Sequence, residues 1–294
     1  MFTLFLMNQK GLAFLQSFVN SNDIGLIDIV VGAQDESVLN DYYKEIRVLS
    51  ESNKIPFLDR KNLRFTDPTN SIAIAIGWRW IIPSKSFPRI MVFHDSLLPK
   101  YRGFAPTVNA LVNGEKEIGV TALWASEQYD QGPILGQKLL KVSYPITIEK
   151  AISALTSFYA ELGMELVNSL IQAGDLKGML QDESTASYSI WRDDQDYQID
   201  WSANATDIRR FIDAVGYPYQ GASSFIEGIG KVRILEAEEC FDYLHELIHP
   251  GKVFLKIDGL PLVICGKGSL LIKKMILDQD GSPIDLKNFR VRFK

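Results

Sequence analysis

Two side chains in this sequence have the type and the placement for acid–base work, His94 and Asp130. Both lie in residues 91–132, which read MVFHDSLLPKYRGFAPTVNALVNGEKEIGVTALWASEQYDQG. An apolar, strand-like run delivers His94 into a turn closed by Pro99, and a second such run leads to Asp130, just before Gly132. The chain has three histidines, and His94 is the one outside the last fifty residues. An imidazole exchanges protons near neutral pH, and a carboxylate beside it can orient the ring and take up a proton. A turn histidine and a loop aspartate with surface hydrogen bonds leave the same trace, so the elements around the pair have to decide.

Those elements alternate. Residues 3–7 read as a strand and 11–19 as a helix with apolar Leu12, Phe14, Leu15 and Phe18. Residues 26–31 are near-continuously aliphatic, which suits a central parallel strand buried on both faces. An amphipathic helix is expected over 39–52 and a short strand over 55–58. Further buried-type strands are expected over 71–76, ending at Gly77, then 89–93 and 119–124. The alternation predicts an α/β domain with a doubly wound, Rossmann-like, mostly parallel sheet covered by helices on both sides. Ligands of such sheets bind beyond the carboxyl ends of the strands. Gly77, His94 and Asp130 all fall there, so one crevice can hold all three. A long helix over 147–173 follows, with Thr147 placed to cap it and Gly174 to end it.

The composition changes after residue 175, where a polar linker precedes a different kind of chain. A helix over 205–214 is followed by short strand-like pieces at 223–225, 231–235, 251–257, 260–264 and 270–276. Asp258-Gly259 is a two-residue hairpin signal. Five short strands with tight turns predict a small antiparallel β-barrel, OB-like in type. The expected domains are 1–185 and 186–294.

Several function classes are disfavoured. No GxGxxG follows the first strand and no GxxxxGK[ST] occurs, so no dinucleotide or Walker-type phosphate site is expected. His245 and His249 stand four apart without a third ligand nearby, and Cys240 and Cys265 fit no metal spacing, so no metal is expected. Two cysteines make no disulfide framework, and a reducing cytoplasm is the expected compartment. The first eighteen residues lack a positive n-region and are broken by Asn8, Gln9 and Lys10. They read as a buried strand and helix, and no stretch has the length of a membrane span. The net charge is −5, and from Gln181 onward 14 basic and 18 acidic residues give −4, which argues against a nucleic-acid partner.

The pattern His94-x-Ser96-Leu97-Leu98-Pro99-x-x-Arg102-Gly103, with Gly114-Glu115, Gly119-Val120-Thr121 and Asp130-x-Gly132-x-Ile134, resembles the 10-formyltetrahydrofolate-dependent formyltransferases. Ile199-Asp200-Trp201 and Pro250-Gly251-Lys252-Val253 are similar to the C-terminal domain of methionyl-tRNA formyltransferases, so the resemblance covers nearly the whole chain. Residues 77–83 (GWRWIIP), 93–99 (FHDSLLP) and 216–222 (GYPYQGA) look more like the bacterial enzymes that formylate nucleotide-linked amino sugars, in particular those acting on nonulosonic-acid precursors.

The resemblance implies direct formyl transfer to a primary amine, with His94 and Asp130 as catalytic residues. It implies that the loop with Trp78, Arg79, Trp80 and Ile81 pairs with the pterin of 10-formyltetrahydrofolate, walled by Leu98 and Ile134. Arg102 is expected as a phosphate or substrate anchor, and Tyr217 and Tyr219 as stacking residues for a base or sugar. Two positions depart from the family. Val92 stands where an asparagine normally helps hold the oxyanion, which makes Ser96 or a backbone N–H near Asp130 the candidate substitute donor. Asn109 stands where the tRNA enzymes tend to have tryptophan. The expected partner is a nucleotide sugar, with no nucleic acid or membrane and a homodimer as the default assembly. The rivals are a methionyl-tRNA formyltransferase, a folate hydrolase and a non-catalytic folate or sugar-nucleotide binder.

Overall fold

A computed structural model describes residues 1–21, 23–36, 38–65 and 69–294. The chain divides into two compact units. One comprises Met1–Thr107, Lys116–Lys141 and Ala151–Ile190, the other Val108–Glu115, Val142–Lys150 and Trp191–Lys294. The C-terminal stretch thus separates at Trp191, a few residues past the expected 185/186 boundary, and two short earlier segments group with it.

The first unit contains a mixed sheet dominated by parallel strands. Strands β1 (Phe2–Leu6), β2 (Ile27–Gly32), β3 (Phe57–Asp59), β4 (Ile72–Ile76) and β5 (Ile90–His94) pair in parallel. The two-residue β6 (Arg102–Gly103) lies outside this sheet. Strands β7 (Glu117–Trp124) and β8 (Ile134–Lys141) then add antiparallel pairs, giving the order β3-β2-β1-β4-β5-β7-β8. Sequence patterning missed β8, whose residues alternate between half-buried and exposed instead of forming an apolar run.

Among the described residues, the helices that pack on this sheet cover one face only, which corrects the expectation of helices on both. Helices α1 (Asn8–Val19), α2 (Tyr43–Ser52) and α4 (Ile148–Ala173), the last following the short α3 (Pro106–Val112), pack on the face that carries Phe57 and Phe93. Phe14 of α1 and Tyr159 of α4 both meet the Phe93 ring, and Tyr43 of α2 meets Phe57 edge-on. Helix α2 begins later than residue 39 because the Asp41 carboxylate accepts the Tyr43 and Asp35 N–H groups, fixing a turn ahead of it.

The opposite face carries one apolar row across six strands. The register pairs Val31 with Phe5, Phe5 with Ala75, Ala75 with Val92, Val92 with Leu123, and Leu123 with Ile134. Irregular chain covers this row: Leu63, Trp78, Ile82 and Phe87 pack on its β1–β5 part, while Leu98 packs with Leu123 and Ile134. The cause is topological. After β3 the chain must return past β2 and β1 to start β4, and it opens that crossing with a 3-10 turn over Arg60–Asn62.

The second unit follows its sequence pattern closely. After β9 (Tyr188–Ser189), which belongs to the first unit, come α5 (Ala205–Ala214), β10 (Ala222–Ile226), β11 (Gly230–Cys240), β12 (Val253–Ile257), β13 (Leu260–Ile264) and β14 (Ser269–Leu277). They form an antiparallel five-stranded sheet in the order β10-β11-β14-β13-β12. Asp258 and Gly259 both have positive φ, 51° and 84°, as the hairpin signal requires. The C-terminal residues bridge to both edge strands: Lys294 and Phe225 exchange backbone hydrogen bonds, and Phe293 donates to the Gly251 carbonyl.

Candidate active site

Strand β5 ends on His94, and its alternation sets what each neighbour can do. Val92 and His94 project to the face without helices, whereas Phe93 projects to the helical face. Asp95 ion-pairs with Lys10, a residue of α1 that is only 6% exposed. That pairing commits one of the two carboxylates near His94 and leaves Asp130 for the ring.

His94 Nδ1 lies 3.5 Å from Asp130 Oδ1, and Nε2 lies 2.8 Å from the Tyr101 carbonyl oxygen. Both side chains are largely buried, at 9% and 15% exposure. A carbonyl can only accept, so Nε2 carries a proton. Nδ1 faces the Asp130 carboxylate. Asp130 is itself held by its neighbours. Its Oδ2 accepts the Gly103 N–H at 2.8 Å, and its backbone, at a positive φ of 58°, gives its carbonyl to Gln181 Nε2 at 2.7 Å.

Gly103 is the position where glycine is required. Its φ is +101°, and a Cβ there would collide with the Ser189 carbonyl oxygen, because β6 pairs with β9 at that point. The amide that donates to the Asp130 carboxylate is thus pinned by a strand pair whose other half lies more than eighty residues away in sequence.

Arg102 is not free to anchor a phosphate, which corrects its expected role. It is 1% exposed, and its donors are taken. Glu183 receives a bidentate pair at 2.8 and 2.6 Å, Gln181 Oε1 receives Nε and Nη2, and the Tyr188 hydroxyl receives Nη1 at 3.2 Å. The Glu183 hydrogen bonds hold the guanidinium above the ordinary arginine range and hold the Glu183 carboxyl below its own. Gln181 in turn donates to the carbonyls of Asp130 and Gly132. Arg102 therefore positions the Asp130 loop through Gln181. Replacing Arg102 with methionine is expected to cost about 1–3 kcal/mol of stability from lost charged hydrogen bonds. It should also lower kcat with little change in folate affinity. Denaturant unfolding and separate kcat and Kd measurements check this.

Ser96 is also corrected as an oxyanion donor. It is buried, and its hydroxyl donates to the Lys100 carbonyl at 2.6 Å, so it shapes the turn after β5. The neighbouring Thr121 hydroxyl is spent likewise, donating to the Ser96 carbonyl and accepting from Gln137 and the Leu98 N–H.

Val92 is a link in the apolar row, packed against both Leu98–Leu123–Ile134 and the cluster around Phe5. An asparagine there would bring a polar amide among these groups at a cost of about 1–3 kcal/mol if unpaired. Val92→Asn is expected to lower the melting temperature and leave turnover within about threefold, because no acid–base group is removed. A large loss of kcat with intact stability would mean that the apolar shape itself is needed.

The remaining expected residues are distributed as follows. Leu98 and Ile134 meet in the apolar row beside Val92. Trp78, Trp80 and Ile81 line an open cavity beyond β3 and β4, while Arg79 turns to an ion pair with Asp35 at 2.6 Å. Tyr217 and Tyr219 belong to the second unit, where Tyr217 is exposed and Tyr219 donates its N–H to Gly216. Asn109 accepts from Arg192 at 2.6 Å. Among the described residues no three His, Cys, Asp or Glu side chains converge as a metal site, and no helix is long and apolar enough to cross a membrane. Sequence reasoning missed Lys10, Tyr101, Gly103 and Gln181 as parts of the site. The one available signal was Lys10, a charge interrupting an otherwise apolar start.

Two family profiles match the chain: Formyl transferase over residues 59–167, and Formyl transferase, C-terminal domain, over residues 192–292. A methionyl-tRNA formyltransferase of Syntrophomonas wolfei is 31% identical over 204 residues, covering 66% of this chain and 64% of the relative. That of Methylococcus capsulatus is 31% identical over 216 residues, covering 73% and 68%. The matched stretch thus spans about two thirds of these relatives' length. Among solved structures, an N-formyltransferase from Helicobacter canadensis, in complex with folinic acid and dTDP-3-aminofucose, superposes with a TM-score of 0.69 over 92% of this chain and 97% of the other. At 17% identity, that likeness is one of fold.

Proposed function

Because the chain belongs to the formyl transferase family, we propose that it moves the formyl group of 10-formyltetrahydrofolate to the primary amine of a nucleotide-linked amino sugar. The observation that carries the transfer chemistry is the His94–Asp130 contact, held by the Gly103 amide at the carboxyl end of β5. The reading as a sugar enzyme is supported by the near full-length fold match to an enzyme crystallised with dTDP-3-aminofucose and by the acidic balance of the C-terminal stretch.

In this reading the neutral amine attacks the formyl carbon, and the carbonyl electron pair moves to oxygen. As the tetrahedral centre collapses, the bond to N10 breaks, N10 gains a proton, and the amine nitrogen loses one to Asp130 directly or through water. His94 donates to the oxyanion when Nε2 exchanges the Tyr101 carbonyl for the substrate oxygen. No protein nucleophile is required. The loop with Trp78, Trp80 and Ile81, together with Leu98 and Ile134, holds the folate. Tyr217 and Tyr219 contribute to the acceptor. For the second unit we retain the OB-like barrel and a boundary near 185/186; the bridging of residues 291–294 to both edge strands supports closure. A cytoplasmic location accords with the folate co-substrate.

A second reading, methionyl-tRNA formyltransferase, is favoured by the names of the sequence relatives. One panel separates the two: UDP-, dTDP-, GDP- and CMP-linked amino sugars and charged initiator tRNA, each assayed with 10-formyltetrahydrofolate. Transfer to at least one nucleotide sugar is expected. Transfer to tRNA alone would overturn the sugar assignment.

A further inference from the structure

Helix α1 buries a charge. Lys10, Phe14 and Phe18 stand four apart on its inner stripe, together with Gly11 and Leu15. The two phenylalanines are fully buried, and Lys10 takes a place on the same stripe that leucine or methionine could fill without losing hydration. The first turn of α1 is also held close. A Cβ added at Gly11 would lie 3.1 Å from Leu6 Cβ, so this turn rests directly on the end of β1.

The Lys10 ammonium points to the strand that carries His94. It ion-pairs with Asp95 and lies 5.2 Å from the centroid of the fully buried Tyr159 ring. Asp95 follows His94 directly in the chain, and its carbonyl accepts from Thr107 Oγ1 at 3.1 Å. An ammonium and a carboxylate lose hydration when they are buried, and two apolar residues often serve stability as well or better. Stability alone therefore does not account for this pair, and its neighbour supplies a reason.

Two carboxylates stand close to one imidazole. Asp130 faces His94 Nδ1, and Asp95 belongs to the adjoining residue. Behind Asp130, Gln181 leads to Arg102, whose charge is matched by Glu183. In the proposed transfer, negative charge builds on the formyl oxygen at His94 Nε2, and Asp130 receives a proton. A bare Asp95 carboxylate would oppose that oxyanion, the more so because His94 and Lys10 are largely buried and water screens poorly there. Paired with Lys10, it adds no net charge.

We propose that Lys10 is a positioning residue for formyl transfer, which acts through Asp95: its buried ammonium cancels that carboxylate, so that the oxyanion at His94 is not opposed by it. The inference rests on the formyl-transfer reading given above, with His94 as the oxyanion donor.

The test is a double-variant cycle in the full chain, with Lys10→Gln, Asp95→Asn and the two together. Glutamine at position 10 loses the charge and can still donate a hydrogen bond to Asp95. With the acceptor that the panel identifies, Lys10→Gln is expected to lower kcat about tenfold or more and to leave 5-formyltetrahydrofolate affinity within about threefold. Adding Asp95→Asn removes the opposing carboxylate and should return kcat to within about threefold of the unaltered enzyme. Melting temperatures measured alongside separate rate from folding, and Lys10→Met takes the place of Lys10→Gln if the latter does not fold. Undiminished kcat in Lys10→Gln would overturn the proposal. So would a loss that persists in the double variant, because Lys10 would then act as a tether for the end of β5 and not as a counter-charge. The 15N signals of the His94 ring give a readout that needs no acceptor: they are expected to move in Lys10→Gln and to return in the double variant. If the panel yields no acceptor, the function reading fails, and unmoved ring signals in Lys10→Gln would then overturn this inference separately.

Discussion

Replacing His94 with alanine, or Asp130 with asparagine, is expected to lower kcat for formyl transfer by about 10²–10⁴-fold, the usual scale of a positioned acid–base group, while folate affinity stays within about tenfold. The expectation follows from what each group touches. His94 Nδ1 faces Asp130 at 3.5 Å, and neither side chain packs in the apolar row that would hold the pterin and benzoyl rings. Asparagine at 130 keeps the size of the side chain and can still accept the Gly103 N–H. It removes the negative charge and turns a proton acceptor into an amide. Single-turnover formyl transfer measured beside equilibrium folate binding separates the two effects. If either variant turns over at a near wild-type rate, the acid–base assignment fails, and the chain would have to work by proximity alone or on different groups.

The second large effect is expected from a residue with no side chain. Gly103→Ala places a methyl group against the Ser189 carbonyl at a φ of +101°, a conformation that L side chains rarely adopt. Strain of this kind costs about 1–3 kcal/mol. Relief would come from separating β6 from β9, which moves the 103 N–H away from Asp130 Oδ2. Displacements near 1 Å in a catalytic constellation can cost about 10²-fold in rate. Gly103→Ala is therefore expected to lower both the unfolding free energy and kcat, whereas Gly25→Ala, which meets no atom within 4 Å, should do neither. Wild-type kcat in Gly103→Ala would show that the amide does not set the position of Asp130. The Arg102→Met variant approaches the same carboxylate from the other side, through Gln181. A double variant of Gly103 and Arg102 should be less than additive in rate, because both act on one loop.

The sugar assignment raises a point about selectivity. The transfer chemistry needs only a small set of groups around His94, and little there discriminates one amine from another. Selectivity must come from more distant contacts. On the acceptor side they involve Tyr217 and Tyr219 in the proposal above. Binding energy from such remote parts can orient the reacting atoms as well as select the ligand.

Much of this was legible before any coordinates. Continuous aliphatic runs announced the parallel strands β1, β2 and β4, and short strands separated by Asp258-Gly259 and Gly266-Lys267-Gly268 announced the second sheet. The helix at 205–214 matches α5 in both bounds. These signals are local, because a residue's tendency to sit in a buried strand or a tight turn depends on its near neighbours. His94 and Asp130 were also legible as a candidate pair, since each follows such a run and ligands of such sheets bind beyond the strand ends.

What the sequence could not specify depends on partners far along the chain. Arg102, in a Lys-Tyr-Arg-Gly turn, has the local context of an exposed anion anchor. It is a buried positioning residue because Gln181, Glu183 and Tyr188 surround it from about eighty positions downstream. Ser96 reads as a spare hydroxyl until its carbonyl partner at Lys100 is seen. The helices were expected on both faces because runs apolar on both sides need cover on both. Leu63, Trp78, Ile82 and Phe87, none of them in an α-helix, supply cover on the second face. Periodicity along the chain thus determined most of the elements and their order. Only the three-dimensional arrangement decided which charges are spent on structure, because an ion pair or a hydrogen bond is made by distance in space and leaves no mark in the spacing of residues.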